Sequence, residues 1–211
     1  MTDNYLKMEQ QARDLFLKVD QLAMIDTWEL EADDSFIYPV YFGKKIRIDR
    51  KTAEISAMPG DADSSCTTHS ARGTVNDSLI LFDILSRTGK APAASGQWAS
   101  VSMLGGHIGA GHDRTLRHEP QAAYFAGQTE KLAMACRAAG GEPFSKADVG
   151  YAVPVFRDLK ILFQFWDADD EFPASIKYLF DTNALSFMHY ETLWYVMNAA
   201  YGRIRFEFDN L

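Results

Sequence analysis

Three runs of apolar, β-branched and aromatic residues, Tyr151 to Phe156, Lys160 to Trp166 and Ser175 to Phe180, follow one another with only short connections between them. Strands joined so tightly must pair antiparallel, because a parallel pair needs a crossover of a dozen or more residues. A second group lies near the N-terminus. There Phe36, Ile37, Tyr38, Val40, Tyr41 and Phe42 precede Gly43, and Ile46 and Ile48 then alternate with Lys45, Arg47 and Asp49. That period-two pattern bounded by glycine predicts a β-hairpin, with Ala53 to Ala57 as a short third strand. Gln97 to Met103 reads as a further strand.

Helical spacing appears between these groups. Tyr5, Leu6, Ala12, Leu15, Phe16, Val19, Leu22 and Ala23 recur at helical intervals, which predicts one amphipathic helix over 3–24. Asn76 or Asp77 supplies an N-cap for a helix through Leu79, Ile80, Phe82, Ile84 and Leu85 that stops near Gly89. Pro120 suits the first turn of a helix running to Ala139 and closed by Gly140 and Gly141. A last helix covers 190–201 around Leu193, Trp194, Val196, Met197 and Ala200. Hairpins without regular helix alternation predict an α+β fold: a single domain over 1–211, with a mostly antiparallel sheet packed by three or four helices. At 211 residues the chain is long enough for its own hydrophobic core. Residues 59–73, small and polar without apolar period, read as a surface loop.

With 21 Lys and Arg against 29 Asp and Glu, the net charge is −8. Such a balance argues against binding a phosphate backbone, which needs clustered cations, so no nucleic-acid partner is expected. No stretch approaches 18 apolar residues and no signal peptide is recognisable, so the expectation is a cytoplasmic protein with no membrane partner. Cys66 and Cys136 stand far apart, outside any Cys-x-x-Cys pair, and read as free thiols.

The least ordinary stretch runs from Leu104 to His118. Gly105, Gly106, Gly109 and Gly111 prevent a regular element, and His107, His112 and His118 fall in the same stretch with Asp113 and Glu119. Neither the dinucleotide fingerprint nor a Walker lysine is present. Neutral imidazole is a common ligand for zinc, iron, nickel and copper and an axial ligand for tetrapyrrole iron. The candidate metal ligands are therefore His107, His112, His118 and Asp113. Trp98 joins the three histidines as a candidate cofactor contact, the cofactor being a transition metal or a haem or corrinoid.

The same residues support other readings. They could serve a metal-dependent enzyme with Asp113 or Glu119 as base, or lie in an exposed loop of a protein-interaction domain without a small-molecule site. The turn after Trp166 places Asp167, Asp169, Asp170 and Glu171 in five positions. It reads as a hard-cation site, as a carboxyl with a raised pKa, or as a solvated tip opposing aggregation. His189 reads as a contact at a helix terminus. No nucleophile elbow occurs.

Several stretches together carry a resemblance. These are Leu79 to Leu85, Gly96-Gln97-Trp98-Ala99-Ser100 with Leu104-Gly105-Gly106, Ala139 to Pro143, and above all Phe165 to Ala174 followed by Leu179-Phe180-Asp181. The chain resembles, over roughly residues 5–200, the family known as domain of unknown function 3786, found mainly in anaerobic bacteria and archaea. The resemblance implies a single domain and transfers no catalytic residues. Some members are fused to cysteine-rich iron–sulfur segments, a cluster that this chain lacks.

Overall fold

The computed structural model describes residues 3–59, 75–87, 89–105, 119–144 and 146–211. His107, His112, Asp113 and His118, the larger part of the 59–73 stretch, and Cys66 lie outside them. The architecture is α+β, and every strand pair among the described residues is antiparallel.

The three C-terminal runs form the meander β8 (Val149–Phe156), β9 (Leu159–Trp166) and β10 (Ser175–Asp181). On β9 the consecutive residues Ile161, Leu162, Phe163, Gln164 and Phe165 are all buried. Successive side chains of a strand point to opposite faces, so this strand is covered on both sides. The N-terminal hairpin is also present. Phe36–Tyr38 (β2) and Val40–Tyr41 (β3) both pair with Lys44–Asp49 (β4), which pairs in turn with Ile55–Ala57 (β5). Short strands β1 (Glu31–Ala32), β6 (Trp98–Ala99) and β7 (Glu142–Pro143) complete a sheet of ten, ordered β1-β2-β4-β3-β8-β9-β10-β6 with β5 on β4 and β7 on β8.

The hairpin turn occupies Phe42 and Gly43, with φ of 46° and 74°. Two consecutive left-handed residues define a type I′ turn, whose twist matches that of the strands it joins. Phe42 accepts this conformation because its ring is buried in the core, with the Arg203 guanidinium 5.6 Å away.

Four of the helices among the described residues have ten residues or more: α1 (Asp3–Lys18), α3 (Val75–Leu85), α6 (Thr129–Ala138) and α8 (Thr192–Asp209). Shorter ones are α2 (Gln21–Trp28), α4 (Val101–Leu104), α5 (Glu119–Ala123) and α7 (Ala184–Phe187). Helix α3 packs between α1 and α8, and α6 rests on α8 and β8. Phe125 links the layers, its ring lying 5.0 Å from Phe208, 5.7 Å from Tyr201 and 6.4 Å from Phe165.

Five expectations from the sequence need correction. The helix over 3–24 is two helices, because Asp20 breaks the run and its carboxylate accepts from Leu22 N (3.0 Å) and Ala23 N (3.1 Å). Much of the expected apolar stripe is exposed, Leu22 at 71%, while Phe16, Met24 and Trp28 are buried. Asn76 and Asp77 are not caps: α3 already runs at Val75, and Asp77 is buried, accepting from Tyr41 OH at 3.0 Å. Gln97 to Met103 yields only the two-residue β6 before the chain turns into α4. The helix from Pro120 to Ala139 is interrupted at Gly127 (φ 72°), whose N–H donates to both oxygens of Asp167, at 2.9 and 3.1 Å. Helix α8 runs on to Asp209, beyond the expected end at 201.

Gly150 has no room for a side chain, since a Cβ there would meet the Phe144 carbonyl oxygen within contact distance. Gly150→Ala is expected to lower stability by about 1–3 kcal/mol, as overpacking does. Urea unfolding with an unchanged slope checks it.

Candidate functional site

Strand β10 ends at Asp181, a buried carboxylate that organises the irregular chain before β6. Its Oδ1 accepts from Ser95 N (3.0 Å), Ser95 Oγ (2.9 Å) and Asn183 N (2.8 Å), and its Oδ2 accepts from Gly96 N (2.7 Å). Burial alone would raise the Asp181 pKa, but these hydrogen bonds to the charged form outweigh it and hold the carboxyl below its ordinary 3.8. Trp98 follows two residues after Gly96. It is half-buried, pairs across the sheet with Asp181, and sets its ring edge-on to Phe144 at 5.9 Å.

Helices α4 and α5 both rest on β10, so the two ends of the stretch between them are anchored to one strand. Gly105, immediately after α4, lies under the Tyr190 ring. A Cβ at Gly105 would come 2.5 Å from Tyr190 Cε2, so glycine is what permits this approach. Tyr190 is the neighbour of His189, and there the structure holds a constellation that sequence reasoning missed. His189 Nδ1 lies 2.5 Å from Asp83 Oδ1. Asp83 Oδ2 accepts from His189 N (2.8 Å) and from Thr192 Oγ1 (2.5 Å). Asp83 comes from α3, with its side chain only 12% exposed, whereas the His189 side chain is 70% exposed. The expected terminus contact of His189 is real, but its partner stands 106 residues earlier in the chain. Helix periodicity places Asp83 among Leu79, Phe82, Ile84 and Leu85, and no local signal ties it to His189.

Of the sequence candidates, Trp98 stands on β6 and Glu119 begins α5. His107, His112, His118 and Asp113 lie outside the described residues. Among the described residues no three His, Cys, Asp or Glu side chains gather where one metal ion could be held. Cys136 is buried in α6, and that burial pushes its thiol pKa up, so it is no nucleophile at neutral pH.

The acidic turn binds backbone. Asp169 Oδ1 accepts from Glu171 N (2.8 Å) and Phe172 N (2.7 Å), and these bonds lower its pKa, opposite to what a general acid needs. Asp148 Oδ2 accepts from Asp167 N at 2.8 Å, while Asp167 itself holds Gly127. An open groove of about 430 Å³ beside the end of α2 is lined by Trp28, Tyr38, Val40 and Phe156. Its cations are already paired, Lys45 with Glu31 at 2.5 Å and Arg157 with Glu29 at 3.0 Å.

A sequence profile places the chain in a family. The profile of Domain of unknown function (DUF3786) matches residues 20–202, and the chain belongs to that family. No curated protein and no solved structure matches it. Among the described residues no helix is long and apolar enough to cross a membrane.

The depressed Asp181 pKa has a signed consequence. Its stabilising contribution is fully present above the unfolded-state value of 3.8 and is lost as pH falls through the lower folded value. The stability difference between wild type and Asp181→Asn is therefore expected to hold through neutral pH and to shrink below pH 3.8. Urea unfolding across that range measures it. Asp167→Ala frees the Gly127 N–H and is expected to cost about 1–3 kcal/mol. Faster amide exchange at Gly127 would accompany the loss.

Proposed function

We propose that this protein is a non-catalytic binding module for a transition-metal ion or a metallo-cofactor of the tetrapyrrole type. The binding residues in this reading are His107, His112 and His118, with Asp113 as a further ligand and Trp98 as a cofactor contact. Imidazole nitrogen is a borderline donor that suits zinc, nickel, copper and iron, and the net charge of −8 favours a cationic guest.

One observation carries the reading: where the histidine-bearing stretch joins the fold. It leaves α4 at Gly105, under the Tyr190 ring, and the chain re-enters at α5 on the same strand that carries α4. A chain tethered at both ends to one strand costs less entropy to close around a guest than one tethered at distant points.

The test is metal analysis and absorption spectroscopy of the full chain purified without oxygen, with Co²⁺, haem and cobalamin titrations. The expected result is stoichiometric binding of one of these guests in the micromolar range, lost in the triple variant His107→Ala, His112→Ala, His118→Ala. Failure of all three guests to bind at micromolar concentration would overturn the reading.

A further inference from the structure

We propose that the outer face of the N-terminal sheet binds a zwitterionic α-amino acid with an apolar or aromatic side chain, its carboxylate held by Arg47 and its ammonium by Asp34. This site is separate from the histidine-bearing stretch and independent of it. Strand alternation sets the face. Ile37 on β2 and Ile46 and Ile48 on β4 are buried, so their sequence neighbours Phe36, Tyr38 and Arg47 point to the other side of the sheet. There, with Asp33, Asp34 and Met58, they line a second open groove of about 430 Å³. That volume is in the range of small-molecule sites.

The Arg47 guanidinium is held at one edge and open at the other. Its Nε donates to Ser56 Oγ (2.9 Å) on the adjoining β5, and its central carbon lies 4.8 Å from the centre of the Phe36 ring. Its two terminal nitrogens have no hydrogen-bond or ion-pair partner among the described residues. Lys45, beside the Tyr38 ring, is instead taken by Glu31 at 2.5 Å. A positioned, planar pair of open N–H donors matches the two oxygens of a carboxylate.

The two aspartates differ in the same way. Asp33 is used by the fold: its Oδ1 accepts from Ser35 N (2.7 Å) and Phe36 N (2.8 Å), and its Oδ2 accepts from Tyr38 OH (2.6 Å), which fixes the Tyr38 ring at the groove. Asp34 is exposed, and its carboxylate has no partner among the described residues. Arg47 and Asp34 form no ion pair with each other although both line the groove, so a guest bearing both charges can meet each of them. A purely anionic guest would face two carboxylates in a chain of net charge −8, and a purely cationic one would face the open guanidinium; a zwitterion avoids both penalties. The Phe36 and Tyr38 rings, 6.3 Å apart, and Met58 offer its side chain an apolar surface.

The experiment is calorimetric titration of the full chain with L-phenylalanine, L-methionine and L-leucine, beside N-acetyl-L-phenylalanine, which lacks the ammonium, and phenethylamine, which lacks the carboxylate. Wild type is compared with Arg47→Gln, Asp34→Asn and the triple histidine variant, with circular dichroism as the check on folding. Expected results are submillimolar binding of at least one of the three amino acids and a weakening of about 10–100-fold in Arg47→Gln, in Asp34→Asn and for either truncated ligand. In Asp34→Asn, L-phenylalanine and its N-acetyl form are expected to bind alike, because the group that reads the ammonium is gone. The triple histidine variant is expected to bind as wild type does. Wild-type protein that binds none of the three amino acids at millimolar concentration overturns the proposal whether or not a metal, haem or cobalamin binds. A folded Arg47→Gln or Asp34→Asn with wild-type affinity overturns it as well, as does equal affinity of the wild type for L-phenylalanine and its N-acetyl form. Loss of amino-acid binding in the triple histidine variant would place the guest elsewhere, with the same result.

Discussion

The burial of both faces of β9 is the constraint on which the rest of the structure depends. A strand whose consecutive residues Ile161 to Phe165 are all enclosed needs a neighbour at each edge and a cover on each side. β8 and β10 supply the edges through short connections, and Phe125 packs on Phe165 with Tyr201 and Phe208 against it in turn. The turn between β8 and β9 is tied down as well: Arg157 donates to the Trp28 carbonyl and to Glu29 at the end of α2. Through that tie the N-terminal helices share one core with the C-terminal meander.

Several of the chain's aspartates hold its own backbone. Asp20, Asp33, Asp49, Asp167, Asp169 and Asp181 each accept from backbone N–H groups in turns, caps or loops. A carboxylate used in this way stays ionised because its hydrogen bonds stabilise the charged form, and the lowered pKa values of Asp33, Asp49, Asp169 and Asp181 follow. The acidic run Asp167 to Glu171 therefore serves first to hold the turn between β9 and β10, through Asp169, and the break at Gly127, through Asp167. Asp83 differs from these in one respect: besides backbone it holds the largely exposed imidazole of His189.

Several features were legible because they depend on neighbours in sequence. The hairpins, the meander and the four longer helices follow from the period of apolar residues and from Gly43 at a turn that needs a positive φ. The misreadings share a cause. The unbroken helices expected over 3–24 and from Pro120 to Ala139, and the cap expected at Asn76 or Asp77, rest on local propensity, and a hydrogen bond or packing contact outweighs it at Asp20, Gly127 and Asp77, most clearly in the long-range pairs of Gly127 with Asp167 and Asp77 with Tyr41. Imidazoles at 107, 112 and 118 drew notice by their density in glycine-rich chain, whereas His189 sits beside ordinary helix-forming residues and carries no such mark.

By itself the amino-acid order determined the antiparallel α+β class, the acidic charge and the concentration of imidazole after Trp98, since these are properties of residue type and short-range spacing. Only the tertiary structure decided that Asp83 meets His189, that Gly105 passes beneath Tyr190, and that Asp181 gathers the chain around Ser95 and Gly96. Such meetings join residues tens of positions or more apart, and they exist only because packing around the buried sheet brings α3, α4 and α8 to the same corner.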